Sequence, residues 1–372
     1  MDLCPQRKVC VVTGAAGGIG SEICKLLLSQ GCEVIGVDCN SFRLQELATD
    51  FKIYSPPASF HSIVMDLSSD SSVIQGVKHI QQILQENNEQ QNVENDDTSM
   101  TSFSFHAQNH HHDEKWNHSS HGQPQKKIFA LINNAAVPSV SSRMSSTAEE
   151  LPQRLQEMLN INVGGYHRMI HYLLPFFEFN NNEHVLNKQQ ERSHSNSVFN
   201  IVAKSLVELL NLKEWIPSER VVSEEKNCGA IIVNVSSGAG VLAGPFLGFY
   251  PITKFAIQGL TDVLRRELKH LGIRVCGVIP GFTKRGMIFS QNIQIDENSL
   301  LCESMKQMQQ DMSSKLEWIG QEPSEVARVI FENCFSSNCG ERVFADRWFM
   351  RIMWPLLLMV QVVCPSLVDR MF

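Results

Sequence analysis

The chain has 372 residues, of which 43% are hydrophobic and 19% charged, and this balance is typical of a globular rather than a disordered protein. Its formal net charge of −7 provides no overall basic field, so we expect no nucleic-acid partner. The 11 cysteines lack a metal-ligand spacing such as CxxC, and several, including Cys10, Cys24 and Cys276, lie in apolar runs, which predicts buried thiols in a reducing compartment and no metal site.

Short β-branched runs alternate with amphipathic stretches of helix length along most of the chain. The first strand is predicted at Lys8–Val12, which leaves too few preceding residues for a secretory signal, so we expect a cytoplasmic protein. Further strands are predicted at Glu33–Asp38, Ser62–Met65, Ile128–Ile132, Ala230–Val235, Arg274–Val278 and Arg342–Ala345. Strands that alternate with helices form βαβ units, so we predict an α/β fold with a Rossmann-type, doubly wound parallel sheet in a single domain.

Two polar segments interrupt this alternation. Residues 85–127 are rich in Asn, Gln, Ser and His and have too little apolar surface to offset chain entropy, which predicts a disordered insertion. A second insertion is predicted at residues 180–227. The predicted domain therefore spans residues 1–345 and is followed by a hydrophobic C-terminal segment at 346–372. Histidines in the first insertion are interpreted as part of a polar tract and not as metal ligands, because flexible ligands impose no defined geometry.

A glycine-rich turn follows the first predicted strand. It has the sequence TGAAGGIG and leads into a helical pattern. Glycines there allow a tight turn and let the backbone approach a pyrophosphate, whose charge lies at the helix N-terminus. We therefore predict that Thr13, Gly14, Gly18, Ile19 and Gly20 bind a dinucleotide.

An aspartate, Asp38, ends the second predicted strand. A carboxylate there can accept hydrogen bonds from the ribose hydroxyls of NAD and would repel the 2′-phosphate of NADP. The next residue, Cys39, supplies no positive charge for that phosphate. NAD is therefore the predicted cofactor, and NADP is the less favoured alternative.

The motif TGAAGGIG resembles the TGxxxGxG cofactor turn of the short-chain dehydrogenase/reductase family. Later motifs of that family follow in order, since Asn133–Ala136 (NNAA) resembles its NNAG motif and Tyr250–Lys254 (YPITK) resembles its YxxxK motif. The resemblance covers Lys8 to about Gly286 apart from the two insertions. It implies a Rossmann-fold oxidoreductase that forms homo-oligomers.

The resemblance also implies further cofactor contacts near the ends of the later strands. Asp66 and Leu67 are expected next to the adenine ring, and Asn134 and Ala135 lie in the NNAA motif. The contacts expected beside the nicotinamide are Pro280, Gly281 and Thr283. Thr283 is included because this chain has Arg285 where the family often has a threonine.

A catalytic set of four side chains is implied in the same way: Asn162, Ser237, Tyr250 and Lys254. Helical spacing places Tyr250 and Lys254 on one face. A free tyrosine is a weak base at neutral pH, so we expect the Lys254 ammonium and the positive nicotinamide to lower the pKa of Tyr250. Ser237 is expected to hold the substrate oxygen as charge develops on it. The resemblance further assigns ribose binding to Lys254, with Tyr250 beside the cofactor, and support of a water chain to Asn162.

These residues predict an enzyme that interconverts a secondary alcohol and a ketone by hydride transfer with NAD(H). An NADP-dependent carbonyl reductase of the same fold and a non-catalytic dinucleotide-sensing protein are the alternatives. Apolar residues after the last motif, namely Met287, Ile288, Phe289 and Met305, indicate an apolar small-molecule substrate.

The segment 346–372 contains an apolar stretch, Ile352–Cys364, that is too short to span a bilayer. Tryptophans and arginines flank this stretch, which suits an anchor at a membrane surface. Burial against the domain or against a partner subunit suits it equally. Membrane-surface contact is thus one of two alternatives for this segment.

Overall fold

The computed structural model of the protein describes residues 8–54, 58–85, 126–137, 150–178, 229–245, 247–284, 302–304, 306–307, 310, 320–336, 339–346, 353 and 356–357. The predicted insertions at 85–127 and 180–227 and the segment 346–372 lie almost entirely outside the described residues.

Seven parallel strands form one sheet in the order β3-β2-β1-β4-β5-β6-β7. In chain order they are β1 (Val9–Thr13), β2 (Glu33–Asp38), β3 (Ser59–Val64), β4 (Ile128–Asn133), β5 (Ile231–Val235), β6 (Arg274–Pro280) and β7 (Arg342–Ala345). Seven described helices connect or flank them: α1 (Gly18–Ser29), α2 (Ser41–Asp50), α3 (Asp70–Gln85), α4 (Glu150–Leu159), α5 (Gly165–Leu173), α6 (Tyr250–Glu267) and α7 (Pro323–Cys334).

The helices cover both faces of the sheet. Strands β1, β4 and β5 are buried along their whole length, as expected for central strands of a parallel sheet. Within β1, Cys10 and Val12 pack in the core that includes α1, α2 and α7, whereas Val9 and Val11 pack in the core that includes α3, α5 and α6. The predicted doubly wound, Rossmann-type α/β fold is confirmed.

All seven predicted strands are present, and two of them, β3 and β6, are two residues longer than the sequence indicated. Strand β3 begins at Ser59, three residues early, because Ser59 pairs with Glu33 of β2. This edge strand is only partly buried, and Phe60 is the one apolar side chain among its first three residues, so the strand begins with a weak apolar signal. Strand β6 continues to Pro280, which pairs with Ala345 of β7.

The carboxyl ends of all seven strands lie at one edge of the sheet because the strands are parallel. The order of the strands reverses between β1 and its neighbour β4. In open α/β sheets, ligands bind in the crevice beyond the carboxyl ends at this switch point. The fold therefore brings the glycine-rich turn and the ends of β2, β4, β5 and β6 to one crevice.

Candidate active site

The glycine-rich turn joins β1 to α1, and the structure has no room for a side chain at two of its positions, Gly14 and Gly20. Gly14 has φ +64°, and a Cβ there would lie 2.7 Å from the Ala135 Cα. A Cβ on Gly20 would lie 2.0 Å from the Gly14 carbonyl oxygen. The first turn of α1 carries no acidic side chain. Gly18, Ile19 and Gly20 thus open a helix whose N-terminus suits a phosphate.

Two side chains hold this turn against the end of β4. The Thr13 hydroxyl accepts hydrogen bonds from the N–H groups of Asn134 and Ala135, at 3.0 and 3.2 Å. The Asn134 side-chain amide donates in return to the carbonyls of Thr13 and Gly14, both at 3.2 Å. These predicted cofactor residues therefore shape the cradle in which a pyrophosphate would lie.

Asp38 lies at the end of β2, beside the glycine-rich turn. Its two carboxylate oxygens accept hydrogen bonds from the Ala16 N–H at 3.0 Å and from the Asn40 N–H at 2.9 Å. Each oxygen retains a further lone pair, so the carboxylate can still accept a ribose hydroxyl. The nearest arginine in sequence, Arg43, forms an ion pair with Glu46 at 2.6 Å.

The predicted adenine contacts follow β3. The Asp66 carboxylate accepts hydrogen bonds from the N–H and the hydroxyl of Ser68, at 2.8 and 2.7 Å. Leu67 is buried, and a Cβ on Gly165 would lie 2.9 Å from the Leu67 Cβ. Asp66 therefore acts as a turn-capping residue, and Leu67 packs against the start of α5.

Ser237 and Tyr250 meet between the end of β5 and the start of α6. The Ser237 side chain accepts a hydrogen bond from the Ala239 N–H at 3.2 Å, and it lies close enough to the Tyr250 phenol to lower the pKa of that group. Tyr250 is the first residue of α6, and Pro251 occupies the following position, where its missing N–H is not needed. The sequence placed this serine and tyrosine in one catalytic set, and the fold brings their side chains together.

Lys254 lies one helical turn after Tyr250. Its Nζ is 5.4 Å from the centroid of the Tyr250 ring and donates a hydrogen bond to the Val235 carbonyl at 3.1 Å. Desolvation on burial lowers the pKa of Lys254 to about 7. The lysine can therefore change its charge near neutral pH.

The pKa of Tyr250 shifts in the direction opposite to our prediction. Burial raises the pKa of the phenol to about 12, although the hydrogen bond from Ser237 opposes that increase. The prediction combined the charges of Lys254 and of a nicotinamide. The protein's own residues produce the reverse effect, because loss of solvation penalises the phenolate more than Ser237 stabilises it.

Asn162 lies in a π-helical turn, Asn160–Gly164, between α4 and α5. Its side-chain oxygen accepts a hydrogen bond from the Val137 N–H at 2.7 Å, and its amide donates to the Val137 carbonyl at 3.0 Å and to the Thr253 hydroxyl at 3.1 Å. The Thr253 hydroxyl in turn donates to the Tyr250 carbonyl at 2.9 Å. Asn162 thus reaches the Tyr250 backbone through Thr253.

Sequence reasoning missed two polar residues of this site, Thr253 and Tyr166. The Tyr166 hydroxyl donates to the Val235 carbonyl at 3.0 Å, so that carbonyl accepts from both Tyr166 and Lys254. A signal was present for each residue, because Tyr166 lies four residues after Asn162 and Thr253 lies within the YxxxK motif.

The residues beside the predicted nicotinamide position follow β6. A Cβ on Gly281 would lie 1.6 Å from a carboxylate oxygen of Asp346, so this position requires glycine. The buried Thr283 hydroxyl donates to the Gly281 carbonyl at 3.3 Å. The other residues that we associated with this end of the site lie outside the described residues: Arg285, Met287, Ile288, Phe289 and Met305.

Comparisons with known proteins agree with this arrangement. A family model for short chain dehydrogenases matches residues 8–88 and 181–295, just over half of the chain. The structure of a short-chain dehydrogenase/reductase from Burkholderia phymatum in complex with NAD has a TM-score of 0.58 and 15% identity, and the alignment covers 97% of this chain and 95% of that one. At this identity the structural likeness shows a shared fold.

Two curated relatives match over shorter lengths. A 3-amino-tetrahydro-pyrrolizinone reductase from Xenorhabdus hominickii is 56% identical over 50 residues, which is 13% of this chain and 18% of that protein. An NADPH-dependent 3-dehydrocapnine reductase from Ornithobacterium rhinotracheale is 24% identical over 271 residues, which is 73% of this chain and 64% of that protein. The match thus covers less than two thirds of either relative.

Among the described residues, no helix is both long and apolar enough to cross a membrane. The family-model match, the seven-stranded sheet and the order of the motifs along the chain lead to one conclusion, namely that this protein belongs to the short-chain dehydrogenase/reductase family.

Proposed function

We propose that this protein is an NAD(P)-dependent oxidoreductase that interconverts a secondary alcohol and a ketone by hydride transfer, with a preference for NAD(H). One observation carries the proposal: Ser237, Tyr250 and Lys254 come together at the carboxyl edge of the sheet, where Ser237 favours ionisation of the Tyr250 phenol and the Lys254 Nζ lies 5.4 Å from the centroid of the Tyr250 ring. This is the arrangement that proton transfer to or from a substrate oxygen requires.

The residues around the crevice fit a dinucleotide. A Cβ at Gly14 or Gly20 would clash with neighbouring backbone, which keeps the turn open to a pyrophosphate, and Asp38 can accept a ribose hydroxyl. Lys254 would hold the nicotinamide ribose. When bound, the nicotinamide supplies the acceptor or donor of the hydride.

Tyr250 is the proposed proton acceptor during alcohol oxidation. As the carbinol C–H bond breaks, the hydroxyl proton moves to the Tyr250 oxygen and the substrate oxygen becomes the ketone oxygen. Ser237 donates a hydrogen bond that holds the substrate oxygen while its charge changes. Ketone reduction uses the same positions in reverse, with Tyr250 as the proton donor.

Positive charge near Tyr250 is required for this step. Burial raises the pKa of Tyr250 to about 12, so the phenolate forms at neutral pH only when cations stabilise it. A protonated Lys254 and an oxidised nicotinamide are the two cations that can do so. Asn162 and Thr253 position the first turn of α6 through their hydrogen bonds.

The test is a screen of the purified full-length protein against a panel of secondary alcohols and ketones, followed by NADH or NADPH absorbance. Tyr250→Phe removes the reacting oxygen and little volume, so we expect kcat to fall by about 100-fold or more while the cofactor still binds. Near-parental kcat in Tyr250→Phe would overturn the catalytic assignment. Cofactor binding without turnover of any panel member would favour the non-catalytic dinucleotide-sensing alternative.

The preference for NAD rests on Asp38. In the NAD complex the Asp38 carboxylate accepts hydrogen bonds from the ribose hydroxyls, whereas in the NADP complex it faces a phosphate of like charge. This repulsion weakens NADP binding by on the order of 1 to 4 kcal/mol, which corresponds to a roughly tenfold to several-hundred-fold difference in kcat/KM. Arg43 is paired with Glu46, which leaves Asp38 as the dominant charge at this position. An NADP-dependent reductase remains the second candidate, because the Ornithobacterium relative is named for NADPH.

The double variant Asp38→Ser with Cys39→Arg tests that preference. We expect it to narrow or invert the ratio of kcat/KM for NAD to kcat/KM for NADP. Asp38 also accepts hydrogen bonds from Ala16 and Asn40, so melting temperatures of parent and variant are compared to separate cofactor choice from loss of the turn. A parent enzyme that prefers NADP would overturn the assignment.

Four further properties belong to the same proposal. The substrate is a small apolar molecule, and the compartment is the cytoplasm, which the free thiols of the described cysteines other than Cys32 support. The enzyme is a homo-oligomer, supported by three exposed apolar side chains on α6, namely Ile252, Phe255 and Val263. For the segment 346–372 the two alternatives are contact with a membrane surface and burial against the domain or a partner subunit, and the exposure of Met353 and Leu356 favours a surface contact.

A further inference from the structure

Three cysteines that are distant in sequence meet at one point in the fold. Cys276 lies in β6, Cys334 is the last residue of α7, and Cys339 lies between α7 and β7. The Cys276 and Cys334 sulfur atoms are 3.7 Å apart, and all three sulfur atoms lie within 4.8 Å of one another. The apolar runs around the cysteines predicted buried thiols, as Cys276 and Cys334 are, but did not predict that three of them meet. Spacing along the chain could not show that β6, α7 and the loop before β7 converge.

The three thiols differ in their access to solvent. Cys276 and Cys334 are 1% and 0% exposed, whereas Cys339 is partly exposed. A small oxidant in solution can therefore reach Cys339 directly. The other two sulfur atoms are screened from solvent but lie close enough to react with Cys339 after a small movement.

A partly buried cation, Arg274, lies beside the trio. The Arg274 guanidinium donates a hydrogen bond to the Ser336 carbonyl at 2.7 Å, while its Nε–H is buried and has no hydrogen-bond partner among the described residues. An N–H group of this kind is stabilised by a nearby anion. The only group in the trio that can supply that anion at the surface is the Cys339 thiol, once it is deprotonated.

The environment separates the acidities of the three thiols. Hydrogen bonds from Cys276 and Cys334, aided by the charge of Arg274, lower the pKa of Cys339 to about 4. The pKa values of Cys276 and Cys334 are raised well above the ordinary value. The trio thus combines one accessible thiolate with two buried thiols, and this combination is found where a cysteine is oxidised and then resolved to a disulfide.

We propose that Cys339 is a peroxide-oxidation site and that Cys276 or Cys334 resolves it to an intramolecular disulfide. In the first step the Cys339 thiolate attacks a peroxide oxygen, so that an S–O bond forms, the O–O bond breaks, and hydroxide leaves and is protonated. In the second step a neighbouring thiol attacks the Cys339 sulfur, so that an S–S bond forms and the oxygen leaves as water. Two thiols lose two electrons, and the peroxide gains them.

Cys39 provides a matched control within the same chain. It is exposed, but burial of its sulfur and the charges of Asp38 and Asp66 raise its pKa. At neutral pH its thiolate population is therefore small. Cys39 shares only its exposure with Cys339, because it has neither a neighbouring cation nor resolving thiols among the residues that the structure describes. A comparison of the two therefore shows whether exposure alone is enough for oxidation.

The experiment uses the reduced full-length protein treated with a small excess of hydrogen peroxide at neutral pH. Free thiols are then blocked with N-ethylmaleimide, and disulfides are identified by non-reducing peptide mapping. We expect a disulfide from Cys339 to Cys276 or Cys334, formed at least about tenfold faster than any oxidation of Cys39, because the reactive species is the thiolate. Cys39→Ser should form this disulfide as the parent does, and Cys339→Ala should not.

A second variant keeps the test decisive if a substitution at position 339 perturbs folding. In Cys276→Ala with Cys334→Ala the resolving thiols are absent, so a sulfenic acid should accumulate at Cys339 and react with dimedone. A disulfide between Cys276 and Cys334 that persists in Cys339→Ala would overturn the proposal. A metal site would also overturn the proposal. In that case the purified parent would contain stoichiometric zinc or copper, and the three thiols would react with peroxide only after a chelator had removed the metal.

Discussion

At the scale of single residues, the site depends on one backbone carbonyl. The Val235 oxygen, at the end of β5, accepts hydrogen bonds from the Lys254 ammonium and the Tyr166 hydroxyl. These two bonds attach α6 and α5 to the same strand end. Lys254 is nevertheless almost fully buried, and the interior disfavours its charge.

This burial predicts a pH-dependent stability that Lys254 controls. The pKa of Lys254 is about 7 in the folded protein and 10.5 ordinarily, so between these values the unfolded chain binds more protons than the folded one. Stability should therefore rise with pH across this window, and the penalty for the buried charge is complete below it. Tyr250 lowers the stability as pH rises, but only above about pH 10. Burial raises its pKa from 10.0 to about 12, so in that range the folded protein binds more protons than the unfolded chain.

Urea unfolding of the parent and of Lys254→Met at about pH 6 and about pH 9 checks this prediction. The free energy of unfolding of the parent should increase, relative to that of the variant, between the two pH values. A difference that stays constant would mean that Lys254 keeps its ordinary pKa in the folded protein.

At the scale of elements, the turn between β1 and α1 and the π-helical turn before α5 carry the geometry of the crevice. A π-helical turn adds one residue to a helix and often marks a functional position. Here it directs Asn162 towards Val137 and Thr253, so the side chain joins the end of β4 to α6. The close backbone contacts of the β1–α1 turn depend instead on the absence of a side chain at Gly14 and Gly20.

Gly20→Ala tests that dependence. The added Cβ would lie 2.0 Å from the Gly14 carbonyl oxygen, so the backbone must shift. We expect a loss of about 1–3 kcal/mol of stability, as for overpacked interiors, and weaker cofactor binding. In Gly340→Ala the nearest atom is 3.6 Å away, so this control should remain within about 0.5 kcal/mol of the parent. Chemical denaturation gives the stabilities, and titration with NAD gives the affinity.

At the scale of the whole molecule, α6 serves both the site and the surface. Its buried face carries Tyr250, Thr253 and Lys254, whereas Ile252, Phe255 and Val263 are exposed on the other side at 49%, 41% and 47%. An apolar face on a helix that also carries the proposed catalytic residues suits a contact with a second copy of the chain.

Val263→Asp tests the proposed self-association. A carboxylate buried at a subunit interface without a partner costs several kcal/mol, so the oligomer should dissociate to monomers in sedimentation velocity. Ile53 is 80% exposed on a separate surface, and Ile53→Asp should leave the oligomer intact. A parent protein that is monomeric at micromolar concentration would contradict the proposal.

The sequence by itself determined the order of the elements, and its resemblance to a known family allowed most of the candidate site to be proposed. The alternation of apolar runs, the glycine-rich turn and the YxxxK spacing are local patterns, and each reports a local structure: a strand, a tight turn and one face of a helix. Ser237, Tyr250 and Lys254 could therefore be proposed as a set before any distance was known. The start of β3 was missed because an edge strand needs few apolar residues.

Only the tertiary structure decided how the local patterns interact. The pKa of Tyr250 depends on how much water the surrounding fold excludes, and this exclusion reversed the shift that its neighbouring charges suggested. The contact from Asn162 through Thr253 to Tyr250 joins the π-helical turn to α6. The thiols of Cys276, Cys334 and Cys339 meet only because β6, α7 and the loop before β7 pack together. Solvation and long-range contact are properties of the packed chain, and a linear sequence carries no direct signal for either of them.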